Sequence, residues 1–129
     1  MTDSPTITLG AVNLDADDPV ALAGFWQAAV GGEVSPGPAG TAFLQGRPGG
    51  FSMFFQPRSE PRPEHQAQHL DLDVPWGSRT REVERLIKMG ATHRWDVLGE
   101  VPWVRWTTLA DPEGNLFCVA EHPPAEPPA

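Results

Sequence analysis

The chain has 129 residues, 40% of them apolar, with 15 prolines, 13 glycines and a formal net charge of −8. That length suits one domain with a real core and is too short for two ordinary ones, while the excess of Pro and Gly puts many residues in turns and tails. The acidic balance argues against nucleic acid and anionic membrane as partners, because a phosphate surface is held by clustered Lys and Arg.

The single cysteine rules out an intramolecular disulfide. The opening "MTDSPTITLG" has neither the basic nor the apolar region of a secretory leader, so a cytoplasmic location is expected. No apolar stretch approaches the roughly 20 residues that span a bilayer.

In chain order, "AVNLDA" (residues 11–16) alternates apolar and polar side chains, the period of a strand with one buried face. A helix follows: Asp18 suits the cap, Pro19 the first position, and Leu22, Phe25, Trp26, Ala29 and Val30 form one apolar stripe that stops at Gly31 and Gly32. Burial of Phe25 and Trp26 should stabilise the fold by roughly 1.5 to 3 kcal/mol each. A weakly marked strand around residues 32–35 precedes two clearer ones, "TAFLQ" (41–45) and "FSMFFQ" (51–56), joined by the turn "GRPGG".

After the Pro-rich stretch 57–68, read as a disordered or extended linker, the same order returns. "HLDLDV" (69–74) aligns with residues 11–16, and a helix from near Ser78 to Gly90 carries Val83, Leu86 and Ile87 on one stripe. Strands are expected around 91–95, at "WVRWTTL" (103–109) and at "LFCVAE" (116–121), the last two joined by "DPEGN" (111–115). Residues 1–6 and 122–129 are expected as flexible tails.

Two tandem βαβββ modules, with "DDPVALAGFW" opening the first helix, "HLDLDV" opening the second module and "LADPEGNLFCV" closing it, resemble the glyoxalase-like branch of the vicinal oxygen chelate superfamily. The likeness spans about residues 7–121, with module one at 7–56 and module two at 69–121. It implies an α+β fold whose curled mixed sheet surrounds a concave pocket with the helices on the convex side, and it suggests a homodimer.

Metal-dependent members of that superfamily carry ligands on the first and last strands of the modules. The corresponding positions here are Ala11, Met53, His69 and Cys118. Only His69 keeps a usual ligand type, so a hard ion would lack its shell. Zinc would find two ligands, His69 and Cys118, where a catalytic site has three, and a soft Cu(I) site from Met53, His69 and Cys118 is the remaining metal alternative. The expectation is therefore no metal and no cofactor. In its bland reading Cys118 is a small buried hydrophobe.

Alternation puts His69, Asp71 and Asp73 on one face of their strand and Leu70, Leu72 and Val74 on the other. The polar face is assigned to the pocket. His69 and Asp71 are the candidate catalytic pair, the carboxylate orienting the imidazole. Their plain alternative is a solvated pair at a strand end. Asn13, Met53, Phe55, Trp106 and Cys118 are the candidate ligand-binding residues. Placing Trp106 inward requires Arg105 to point toward the apolar layer, which is costly unless a bulge intervenes.

The function expected is binding or sequestration of a hydrophobic or aromatic small molecule in a metal-free, aromatic-lined pocket. The alternative is a metal-independent lyase or isomerase with His69 as general base. A metal-dependent glyoxalase or dioxygenase, and a partner-regulating module with a vestigial pocket, come behind these.

Overall fold

A computed structural model describes residues 4–124; residues 1–3 and 125–129, parts of the two expected tails, lie outside the described residues. The chain divides between Pro61 and Arg62 into two compact units, and each repeats the order expected from sequence.

The first unit runs β1 (Val12–Ala16), α1 (Pro19–Val30), β2 (Glu33–Pro36), a short 3-10 turn at Pro38–Gly40, β3 (Ala42–Gln45) and β4 (Met53–Pro57). Its sheet order is β1-β4-β3-β2, with β1 and β4 parallel and the other pairs antiparallel. Helix α1 starts because the Asp18 carboxylate accepts the Ala21 N–H at 3.2 Å and Pro19 needs no donor there. It stops at Gly31, whose φ of 81° lies in the left-handed region that favours glycine.

Leu22, Ala23, Phe25 and Trp26 are buried, and α1 lies against all four strands. Phe25 and Trp26 meet edge to face with ring centroids 5.6 Å apart. Ala29 and Val30, expected on the same stripe, are half-buried.

The second unit runs β5 (Leu70–Asp73), α2 (Arg79–Lys88), β6 (Thr92–Val97), β7 (Arg105–Ala110) and β8 (Leu116–Glu121), in sheet order β5-β8-β7-β6. Strands β5 and β8 are parallel, and β6 carries a bulge between His93 and Trp95. Val83 and Leu86 are the buried residues of α2. Ile87, expected beside them, is 41% exposed.

Helix α2 has no capping side chain of its own: Ser78 Oγ donates to the Pro75 carbonyl instead. The Glu121 carboxylate at the end of β8 accepts the Arg79 N–H at 3.1 Å, which places a negative charge at the helix start. The Arg79 guanidinium donates to Thr107 Oγ1 at 2.6 Å, and the Thr107 hydroxyl donates to Asp96 Oδ1 at 2.6 Å. Arg79 Nε lies 3.4 Å from Glu121 but makes no hydrogen bond. This chain of polar contacts joins α2 to β6, β7 and β8.

Beyond Pro57, the last residue of β4, the stretch expected as a linker carries neither helix nor strand and is tied at both ends. Arg58 donates its backbone N–H to Ala16 and its Nε to Asp17 within the first unit. Arg62 donates to Asn115 Oδ1 and the Gly114 carbonyl, both at 2.7 Å, and Gln66 exchanges two hydrogen bonds with the Leu116 backbone in the second. Arg62 and Gln66 thus hold the turn that feeds β8.

Candidate functional site

Register decides which side chains share a face. In the second unit Asp71 pairs with Cys118, Asp73 with Ala120, Trp106 with Ala120 and Thr108 with Cys118. These residues stand together on the side of the sheet away from Leu70, Leu72, Phe117 and Val119. They line a cavity of about 600 Å³, within the size range of small-molecule sites. His69, Trp95, Trp103 and His122 complete its polar and aromatic wall.

Two His–Asp pairs face this cavity. His69 Nε2 lies 3.2 Å from Asp71 Oδ1, and His122 Nε2 lies 3.3 Å from Asp73 Oδ1. The other ring nitrogen of His122 lies 3.1 Å from the Trp103 carbonyl, so both contacts are hydrogen bonds only in the doubly protonated ring. The floor is less accessible: Cys118 is 5% exposed, and its Sγ lies 3.3 Å from Thr108 Oγ1. Burial pushes the Cys118 thiol above its ordinary range; the Thr108 hydrogen bond works against that, and Asp71 adds to it by charge and hydrogen bonding. A thiol so placed is a poor nucleophile.

Trp106 and Arg105 occupy opposite faces of β7. Arg105 sits at the exposed start of the strand with its guanidinium 5.1 Å from the Trp76 ring centre, so no charge enters the apolar layer. The bulge considered from sequence is on β6, not on β7.

The first unit departs from the expected parity. Val12 pairs with Met53, Leu14 with Phe55, and Asn13 with Phe54. Met53 and Phe55 therefore share a face with Val12, Leu14, Ala42 and Leu44, where α1 packs, and both are fully buried. The assignment of Met53 and Phe55 to a pocket wall is corrected: they are core. Phe54, not Met53, holds the place in β4 that Cys118 holds in β8. Asn13 lies on the exposed face of β1 beside Asp15, which accepts a hydrogen bond from Gln56.

The structure thus brings His69, Asp71, Trp106 and Cys118 to one cavity and leaves Asn13, Met53 and Phe55 in the other unit. Sequence reasoning missed Trp95 and His122 as wall residues. Trp95 is re-aimed by the bulge, and His122 was assigned to the tail because prolines follow it.

The sequence profile of the glyoxalase-like domain matches residues 11–120. The chain belongs to that family. No curated protein sequence matches it. Among solved structures it is similar to a glyoxalase/bleomycin resistance protein/dioxygenase family enzyme from Burkholderia phytofirmans, at 22% identity over 91% of this chain and 100% of that one, with a TM-score of 0.77. The fosfomycin resistance protein FosX from Listeria monocytogenes gives 14% identity, 93% and 97% coverage and a TM-score of 0.76. TioX from Micromonospora gives 22% identity, 90% and 99% coverage and a TM-score of 0.61. These likenesses establish the fold.

A FosX variant is known in complex with Mn(II) and a dihydroxypropylphosphonic acid, so the fit of a metal to this chain needs testing on its own residues. Donor atoms of His69, Asp71 and Cys118 all lie within 4.8 Å of one another. Asp71 is thus a third donor, where sequence had counted two. The set still does not fit a hard ion, which needs an oxygen-rich shell: it offers one carboxylate, already paired to the imidazole, and a buried thiol. Ala11 has no donor atom in its side chain, and Phe54 and Met53 supply neither oxygen nor nitrogen.

Proposed function

We propose that this protein binds a hydrophobic or aromatic small molecule in the cavity of its second module, without a hard metal ion. The observation that carries the reading is the wall itself: Trp95, Trp103 and Trp106 around about 600 Å³, with Trp95 46% and Trp103 65% exposed. Large aromatic faces left open to water in a cavity with a few polar groups suit a flat ligand. The class of function is supported by structural neighbours named for fosfomycin and bleomycin resistance.

The test is quenching of tryptophan fluorescence, with thermal unfolding, across a panel of flat aromatic compounds. A ligand at a hundred times its dissociation constant should stabilise the fold by about 2.7 kcal/mol. Trp103→Ala should weaken binding about tenfold while leaving stability nearly unchanged, and His69→Ala should retain binding. A panel that neither quenches nor stabilises would remove the reading.

The His69–Asp71 contact favours a second reading, a metal-independent lyase or isomerase. With Nε2–H donated to Asp71, the imidazole lone pair falls on Nδ1, and the carboxylate stabilises the imidazolium formed on accepting a proton. Turnover lost in His69→Ala with binding intact would support it; turnover unchanged in that variant would exclude it.

A further inference from the structure

The charges around the cavity are one-sided. Asp71 and Asp73 face it, their side chains 68% and 73% exposed, and among the described residues the lining contains neither lysine nor arginine. Arg105, next to Trp106 in sequence, points to the opposite face of the sheet, toward Trp76. The positive partners available to the two carboxylates inside the cavity are His69 and His122, which lose their charge when deprotonated.

From this we infer that the ligand is an organic cation: a planar apolar body carrying a protonated amine. The inference rests on the reading of the cavity as an aromatic-ligand site and adds its charge. Two features recognise such a molecule independently. Tryptophan is the best aromatic face for a cation, through its ring quadrupole, and three of them stand here. Carboxylates accept charge-assisted hydrogen bonds from an ammonium, which takes the place of the imidazole proton opposite Asp71 or Asp73. A phosphonate or carboxylate ligand would meet two like charges and find no fixed cation to hold it.

Isothermal titration of the full chain with three probes of one shape separates these terms: naphthylmethylamine, naphthylmethanol and naphthoate. The amine is expected to bind at least tenfold tighter than the alcohol, with naphthoate weakest. In the Asp71→Asn, Asp73→Asn double variant the amine should lose its advantage over the alcohol. Both aspartates are exposed, so the variant should fold, as thermal unfolding will show. Should it not, loss of the amine's advantage on raising salt in the unaltered chain gives the same answer. Equal binding of amine and alcohol, or tightest binding of naphthoate, overturns the cationic ligand and leaves the aromatic site standing. No binding of any probe removes both.

Discussion

Strands β4 and β8 hold the same place in their sheets, yet the residues opposite Asn13 and Asp71 are Phe54 and Cys118. On the helix side both modules pair apolar residues across the sheet under a helix, Leu14 with Phe55 and Leu72 with Val119, and module two adds the polar contacts of Arg79 with Thr107 and Glu121. On the other side they differ. Module one carries Asn13, Asp15, Phe43, Phe54 and Gln56, with Asp15 bonded to Gln56. Module two carries two His–Asp pairs, a buried thiol and three tryptophans around a cavity. A repeated scaffold therefore needs only one buried face to fold, and the opposite face is where chemistry can accumulate in one copy.

That division makes its first prediction at β4. Phe55→Ala should cost about 3 to 5 kcal/mol, the range for emptying an aromatic core position, and chemical denaturation would read it. Phe54→Ala, on the other face and half-buried, should cost clearly less. The reverse order would return Met53 and Phe55 to the open face and break the comparison.

The hairpin turns sharpen it next. Asp111 is buried and accepts the Glu113 N–H at 2.9 Å, the Asn115 N–H at 3.0 Å and Asn115 Nδ2 at 2.8 Å. Asp111→Ala should destabilise by roughly 2 to 4 kcal/mol, since several donors lose their acceptor. In the first module the corresponding turn leans on Ser52 Oγ, which accepts the Gly46 N–H at 3.0 Å. Ser52→Ala should cost only about 1 kcal/mol.

The smallest effect is pH-dependent and belongs to module two. The Thr107 hydrogen bond holds the Asp96 carboxyl below its ordinary range; burial opposes this, and the His93 contact and the charges of His93 and Arg79 add to it. A depressed carboxyl contributes stability that is present above its unfolded value, about 4, and is lost as pH falls through the folded value. Stability of the unaltered chain should therefore drop in acid more steeply than that of Asp96→Asn, as urea unfolding across that range would show.

Much of this was legible in the sequence, for identifiable reasons. Both helices follow from a cap or start signal, a stripe and a glycine stop. The order of strands follows from the alignment of residues 11–16 with 69–74. The face of β5 was readable because Leu70 and Leu72 alternate cleanly with acidic residues. The face of β4 was misjudged although a signal was present: Phe51, Met53 and Phe55 form an unbroken apolar row, whereas Ser52, Phe54 and Gln56 are mixed, and the uniformly apolar row goes under the helix. Trp95 was out of reach because a bulge shifts parity within its strand. The Asp71–Cys118 proximity was out of reach because parallel register is set by the crossover between strands rather than by either strand alone.

The proposal that the cavity takes its ligand without a hard metal ion is tested most directly by one comparison. The affinity for an aromatic ligand such as naphthylmethylamine is measured before and after exhaustive chelation, with metal content followed by elemental analysis. A metal-independent site predicts the same affinity in both samples and no stoichiometric metal in either. One equivalent of a divalent ion per chain whose removal abolishes binding, and whose return restores it, would contradict the claim.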